Sequence, residues 1–381
     1  MSKTIHLLAL ILVFSSFVRA QNYKAITHAN IIRTDKEKII SNTNLLIKDN
    51  KIEKIGKNIV IPEQAEIIDG SGKYLIPGLV DAHIHFFQSG GLYTRPDGLD
   101  LTHRKSYEDE MAWIKANIDD VFKRYIRCGI TSVIDMGGPM WNFDVKKYSK
   151  EAPVAPRVYL SGPLIASYQP DVLTTDDPPI IKVNTVEEAL KLVDKQIAMN
   201  TDFIKIWYVI TAGMTGEVFE PIVKAIIEES HKRGKPVYVH ALELDKSAKR
   251  AMRAGADVLV HSIRDQAIDE DFLKLAKQNN VSYIPTLWVL ESYASVYSKQ
   301  LDLLPIEHQA GNPYIIGSLY DMHEIPADEL PERVNKMHHD HTPIKTSDII
   351  LQNLKKVQEA GINVVAGTDA GNVGVYVKRM T

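Results

Sequence analysis

RAGADVLVH, Arg253 to His261, passes from a helix end through a glycine into a short apolar strand and stops on a histidine. KRGKPVYVH (232–240) has the same order, and so does RCGITSVID (127–135). In all three the polar residue stands six positions after the glycine: Asp135 after Gly129, His240 after Gly234, His261 after Gly255. EAGINVVAGTD (359–369) repeats the phrase with eight positions between Gly361 and Asp369. Glycine closes a helix because it enters the left-handed region without a Cβ clash. The strand behind it therefore starts at a fixed phase, and its polar residue falls at the C-terminal end. In parallel α/β proteins that end carries the ligand site.

Outward from these phrases, apolar strands alternate with amphipathic helices. Eight strands are expected, near 75–85, 130–135, 157–161, 202–207, 236–240, 257–261, 281–286 and 362–369. The pattern predicts an α/β protein built as a (β/α)8 TIM barrel. Helix 186–199 opens on a capping box, Thr185 with Glu188, and carries Ala189, Val193 and Ile197 on one face. Helix 217–233 ends in His231-Lys232-Arg233 before Gly234. The segment 287–346 is too long for a plain connection, so it is expected to carry helices over the site. Upstream, residues 21–73 are short β-rich runs with a hairpin turn at KDNK (48–51), which predicts a small β-domain before a barrel over 74–381.

The charge balance, 45 Lys and Arg against 48 Asp and Glu, offers no basis for a nucleic-acid or anionic-membrane partner. A small-molecule substrate is the expected partner. A single cysteine, Cys128, excludes an intrachain disulfide and a cysteine-based zinc site. Residues 1–20 carry Lys3, an apolar stretch from Leu7 to Val18 and a small residue at Ala20. This is the layout of a secretory signal peptide, too short to span a bilayer, and it predicts an exported protein without a stable membrane anchor.

Within LVDAHIHF (79–86), His83 and His85 end an apolar strand. An H-x-H pair is weak by itself; MHHDHTP supplies another, His339 and His341, in polar surroundings. Context separates the two. Residues i and i+2 of a strand share a face, so His83 and His85 point together into the barrel mouth. Two neutral imidazoles suit a transition metal such as zinc. His240, His261 and Asp369 stand at other strand ends as further ligands. Lys205, in DFIKIWY (202–208), interrupts an apolar strand. A buried lysine must be paired or neutral. Neutral, it can take up CO2 and become a carbamate, an anionic ligand able to bridge two cations.

GLVDAHIHF, IKIW, VYVHA, AGADVLVHS and AGTDAGN together resemble the amidohydrolase superfamily, at its imidazolonepropionase-like and Xaa-Pro dipeptidase-like branch. The resemblance covers residues 23 to 374. It implies a distorted barrel with a small β-domain and two divalent metals. His83 and His85 would hold the first, His240 and His261 the second, and carboxylated Lys205 would bridge them. Asp369 would bind the first metal and shuttle the proton. The implied reaction is hydrolysis of a C–N bond in an amide, cyclic amide or dipeptide by a metal-bridged hydroxide.

The sequence departs from that pattern in three places. SGPLIASYQPDVL (161–173) has no histidine where dipeptidase-like members carry a Gly- and His-rich turn. His240-Ala241-Leu242-Glu243 matches the H-x-x-E of single-metal deaminase-like members, so a one-metal deaminase or cyclic amide hydrolase using Glu243 is the alternative. After AGTDAGN only VGVYVKRMT follows, without the eighth helix and returning strands of the family. That predicts an open seam between strands eight and one, and leaves a truncated, inactive metal-binding remnant as a third reading.

Overall fold

The computed structural model describes residues 22–339 and 347–376. The expected leader, 1–20, and His341 lie outside them. Two compact units divide between Pro77 and Gly78. Among the described residues no helix is long and apolar enough to cross a membrane.

The first unit is a small sheet of β1 (Tyr23–Arg33), β2 (Lys38–Lys48), β3 (Lys51–Gly56), β4 (Glu66–Asp69) and β5 (Tyr74–Leu75). Its order is β3-β2-β1-β4, with β5 also on β1. The KDNK turn joins β2 to β3 with φ of 48° at Asp49 and 64° at Asn50. Two central residues in the left-handed region match the twist of a tight hairpin, and Asp and Asn tolerate them. Tyr74 and Leu75 read from sequence as the start of the first barrel strand. They instead pair with Asn30 and Ile31 of β1. Pro77, which cannot donate to a ladder, separates them from the strand that follows.

The second unit holds β6 (Leu79–Ile84), β7 (Ile130–Asp135), β8 (Arg157–Leu160), β9 (Leu164–Ala166), β10 (Ile180–Lys182), β11 (Ile204–Trp207), β12 (Val237–His240), β13 (Val258–Val260) and β14 (Ser282–Ile284). Two all-parallel sheets form, β6-β7-β8 and β10-β9-β11-β12-β13-β14. The third expected strand, 157–161, is β8, which pairs with β7; past Gly162-Pro163 the chain resumes as β9, which pairs with β11. β9 and β10 are additions to the expected strands.

The eighth expected strand is not a regular strand, yet its backbone spans the seam. Tyr283 N donates to Asn363 O at 2.8 Å, Ala82 N to Ala366 O at 3.0 Å, Asp369 N to His83 O at 2.7 Å and His85 N to Ala370 O at 2.8 Å. The expected open seam between strands eight and one is therefore wrong. Residues 363–370 exchange hydrogen bonds with β14 and β6. No unbroken ladder runs round the barrel, because this stretch joins its neighbours only by isolated bridges.

Helices fill the connections. Val186–Ala198 starts on Thr185, whose side chain accepts from Glu188 N at 3.2 Å, while Glu188 accepts from Asn184 N. Gly216–Lys232 buries Phe219, Val223 and Ile226 against Ile206, Val239 and Leu259 of the strands. Gly255 and Gly361 end their helices at φ of 102° and 73°. The long connection after β14 carries Trp288–Tyr297, Pro305–Ala310, Pro313–Tyr320 and Glu332–His339.

Candidate metal centre

The strand ends converge on one cavity of about 400 Å³, lined by His83, His85, Lys205, His240, His261 and Asp369 among others. His83 and His85 project from the end of β6, on one face as their i, i+2 spacing requires. His240 ends β12, and His261 follows β13. His261 and Asp369 both have left-handed backbones, with φ of 77° and 63°. Such strain in non-glycine residues costs of order 1–3 kcal/mol and concentrates at functional sites.

Three ligand-type atoms form a near-equilateral triangle. Asp369 Oδ1 lies 3.2 Å from both His83 Nε2 and His85 Nε2, which are 3.3 Å apart. Bonds of about 2.0–2.1 Å at tetrahedral angles put zinc ligands about 3.3 Å apart. The tautomer agrees. His85 Nδ1 is 2.8 Å from the Gly137 carbonyl, which can only accept, so Nδ1 carries the proton and Nε2 presents its lone pair. The His85 lone pair and a carboxylate oxygen this close, and buried, repel each other without a cation between them. The donor set fits a divalent metal.

His261 adjoins the triangle, its Nδ1 2.6 Å from Thr286 Oγ1 and 3.9 Å from Asp369 Oδ2. His83, His261 and Asp369 each offer a ligand atom within 4.8 Å of the others. His240 packs edge-on to His261 with ring centroids 4.4 Å apart. Burial keeps these imidazoles neutral: it lowers His83 to about 4 and holds His240 and His261 well below the ordinary range. Burial alone would raise Asp369, but its contacts with His83, His85 and His261 hold it well below the usual carboxylate value. Neutral imidazoles and an ionised carboxylate are the states a metal requires.

Lys205, on β11, is 1 % exposed, and its Nζ has no hydrogen-bond partner among the described residues. Burial lowers its pKa to about 7, with Asp369 pulling the other way. Glu243, the residue of the one-metal alternative, is elsewhere. It accepts from Ser247 Oγ at 2.9 Å and is not part of the cavity wall.

The residues behind the ligands were not legible as such. Asn372 donates to Asp369, and Thr286 touches His261. Asp135, one of the four strand-end polar residues, is fully buried and stands 4.0 Å from His85 Nδ1, with Asn142 donating to it at 2.6 Å. Burial raises it to about 7. Its six-residue offset from Gly129 was the available signal, and it marks the position without the role. Gln169, beside the His-free turn, is tied to Thr174 and Lys182 N, a structural arrangement.

The dihydroorotase of Bacillus cytotoxicus is 51% identical over 57 residues, 15% of this chain and 13% of the relative, so the match spans about an eighth of that protein. Among solved structures, a Xaa-Pro dipeptidase with bound methionine in the active site superposes with TM-score 0.65 at 20% identity, over 93% of this chain and 81% of that one. A prolidase complexed with N-methylphosphonate-L-proline gives TM-score 0.64 at 19% identity, over 91% and 78%. These likenesses show the barrel fold. The profile of the amidohydrolase family matches residues 74–381, four-fifths of the sequence and every candidate ligand, and the chain belongs to that family.

Proposed function

We propose that the protein is a metal-dependent hydrolase that cuts a C–N bond in an amide, cyclic amide or dipeptide. The observation that carries this reading is the triangle of His83, His85 and Asp369 on the floor of a cavity that also exposes His240, His261 and Lys205. Two divalent ions, zinc by ligand type, would be held by His83, His85 and Asp369 on one side and His240 and His261 on the other. When bound, they supply a water acidic enough to attack at neutral pH and polarise the scissile carbonyl.

The protein's own groups do the rest. Lys205, neutral in part near pH 7, can bond its Nζ to the carbon of CO2 and release one proton to solvent, and the resulting anionic carbamate would supply a further ligand. Asp369 takes the proton of the attacking water and returns it to the leaving nitrogen. The buried floor limits access of bulk water to that exchange. The related dihydroorotase and prolidase names are consistent with C–N hydrolysis.

Elemental analysis of the folded monomer tests the reading. About two metals per chain are expected, falling to one or none in Lys205→Ala, with amine release from a panel of dipeptides and cyclic amides by the wild type. One metal, unchanged in Lys205→Ala, would overturn the bridged site.

A further inference from the structure

The cavity wall is unevenly charged. Among the described residues it contains four cationic side chains, Arg95, Lys205, Arg264 and Arg333, and one carboxylate, Asp369. Three of the cations are accounted for. Arg95 is clamped by Asp97 at 2.7 and 2.6 Å and by Asn372 at 2.6 Å. Arg333 donates to the Gly98 carbonyl. Lys205 belongs to the metal floor. Arg264 alone among the three arginines has no hydrogen-bond or ion-pair partner among the described residues.

Its placement is fixed although its head group is free. The Arg264 backbone N–H donates to Leu242 O at 3.1 Å, tying the loop after β13 to the loop after β12. The adjacent carboxylate, Asp265, is turned away to accept from Leu244 N at 3.0 Å. Arg264 is exposed and lines the cavity, so it stands where the cavity meets solvent. Its charge still reaches the floor: His240 is lowered chiefly by burial, and Lys205 and Arg264 add to the effect. The cavity wall also includes the apolar side chains of Leu164, Leu173, Ile180, Trp207, Val289 and Leu290.

We propose that Arg264 is the specificity residue of the site and binds a carboxylate of the substrate, which makes the substrate class an amide of compact apolar body with a free carboxylate on the side away from the metals. The inference rests on the hydrolase reading above and narrows it. A planar guanidinium without a protein partner matches a carboxylate in two parallel hydrogen bonds. A neutral amide would offer that cation no opposite charge. The cavity volume of about 400 Å³ suits a ligand of dipeptide size.

Binding, read without turnover, separates this inference from the hydrolase reading. The probes are N-methanesulfonyl-L-leucine and N-methanesulfonyl-L-leucinamide, which carry a sulfonyl group in place of the scissile carbonyl, titrated calorimetrically into the full-length, metal-loaded protein. The wild type is expected to prefer the acid by about tenfold or more, the scale of a hydrogen bond to a charged group. Arg264→Gln should lose that preference while keeping the amide's affinity and the metal content. Arg264→Lys should restore part of it. Equal affinities in the wild type, retention of the preference in Arg264→Gln, or no binding of either probe would overturn the proposal. Preference for the acid without hydrolysis of any amide would leave the carboxylate site standing and remove the hydrolase reading instead.

Discussion

Asn372 donates its side-chain amide to Asp369 Oδ1 at 2.7 Å while its own Oδ1 accepts from Arg95 Nη1 at 2.6 Å and Tyr293 Oη at 2.7 Å. Two donors on one side settle which end of the amide is oxygen, so the NH2 group must face Asp369. Asn372 is 2 % exposed. It holds the carboxylate in the position where Oδ1 meets both imidazoles.

Removing that hold should loosen the metal. Asn372→Ala is expected to weaken zinc binding by about 10- to 100-fold, the usual effect of deleting a group that orients a ligand. Competition against a chelator measures it, with circular dichroism to show that the fold persists. Unchanged affinity in a folded variant would mean that Asp369 needs no such support.

Lys205 predicts a pH-dependent stability in protein stripped of metal and CO2. Its folded pKa, near 7, lies below the ordinary value of 10.5. Below pH 7 the lysine is charged in both states, and the full cost of burying the charge weakens the fold. Between 7 and 10.5 only the unfolded chain keeps the proton, and the cost fades as pH rises. The shift corresponds to a few kcal/mol, on the order of 1.4 per unit. Lys205→Met should therefore be more stable than the wild type at pH 6.5 and converge with it toward pH 10, by urea denaturation. A stability gap that stays constant with pH would contradict a buried, unpaired amine.

Gly367 lies where strand eight passes behind the first ligand. A Cβ there would stand 2.6 Å from Ile284 Cγ2, 2.8 Å from His83 Cβ and 3.1 Å from His83 N. Gly367→Ala should cost about 1–3 kcal/mol, as overpacking does, and should lower metal affinity by moving His83. A urea midpoint and a metal titration on the same sample check both. Loss of stability with wild-type metal affinity would show that the backbone yields away from His83.

Glu243→Gln separates the two metal readings. Because Glu243 faces Ser247 rather than the cavity, metal content and C–N hydrolysis should stay at wild-type levels. A fall in turnover of 100-fold or more, at unchanged metal content, would restore the one-metal mechanism; general acid–base groups contribute about 10²–10⁴.

Much of this arrangement follows from short-range order along the chain. Gly234 to His240 and Gly255 to His261 mark helix end, strand and strand end, since 3.6- and 2-residue periods are local properties. The same holds for the KDNK turn, the Thr185 cap and the pairing of His83 with His85 on one face. Other features depend on residues far apart in sequence. Gly162 and Pro163 follow β8, but only the neighbouring strands decide that β8 pairs with β7 and β9 with β11. The stretch 362–369 reads like an ordinary strand, and its role as the link across the seam comes from β14 and β6. Lys205 is unpaired because no acceptor among the described residues comes within hydrogen-bond distance of it, and Glu243 is occupied because Ser247 lies one helical turn away. Spacing therefore determined which side chains reach the C-terminal face. Tertiary structure decided which of them meet, because ligand distances and unpaired charges depend on packing between segments hundreds of residues apart.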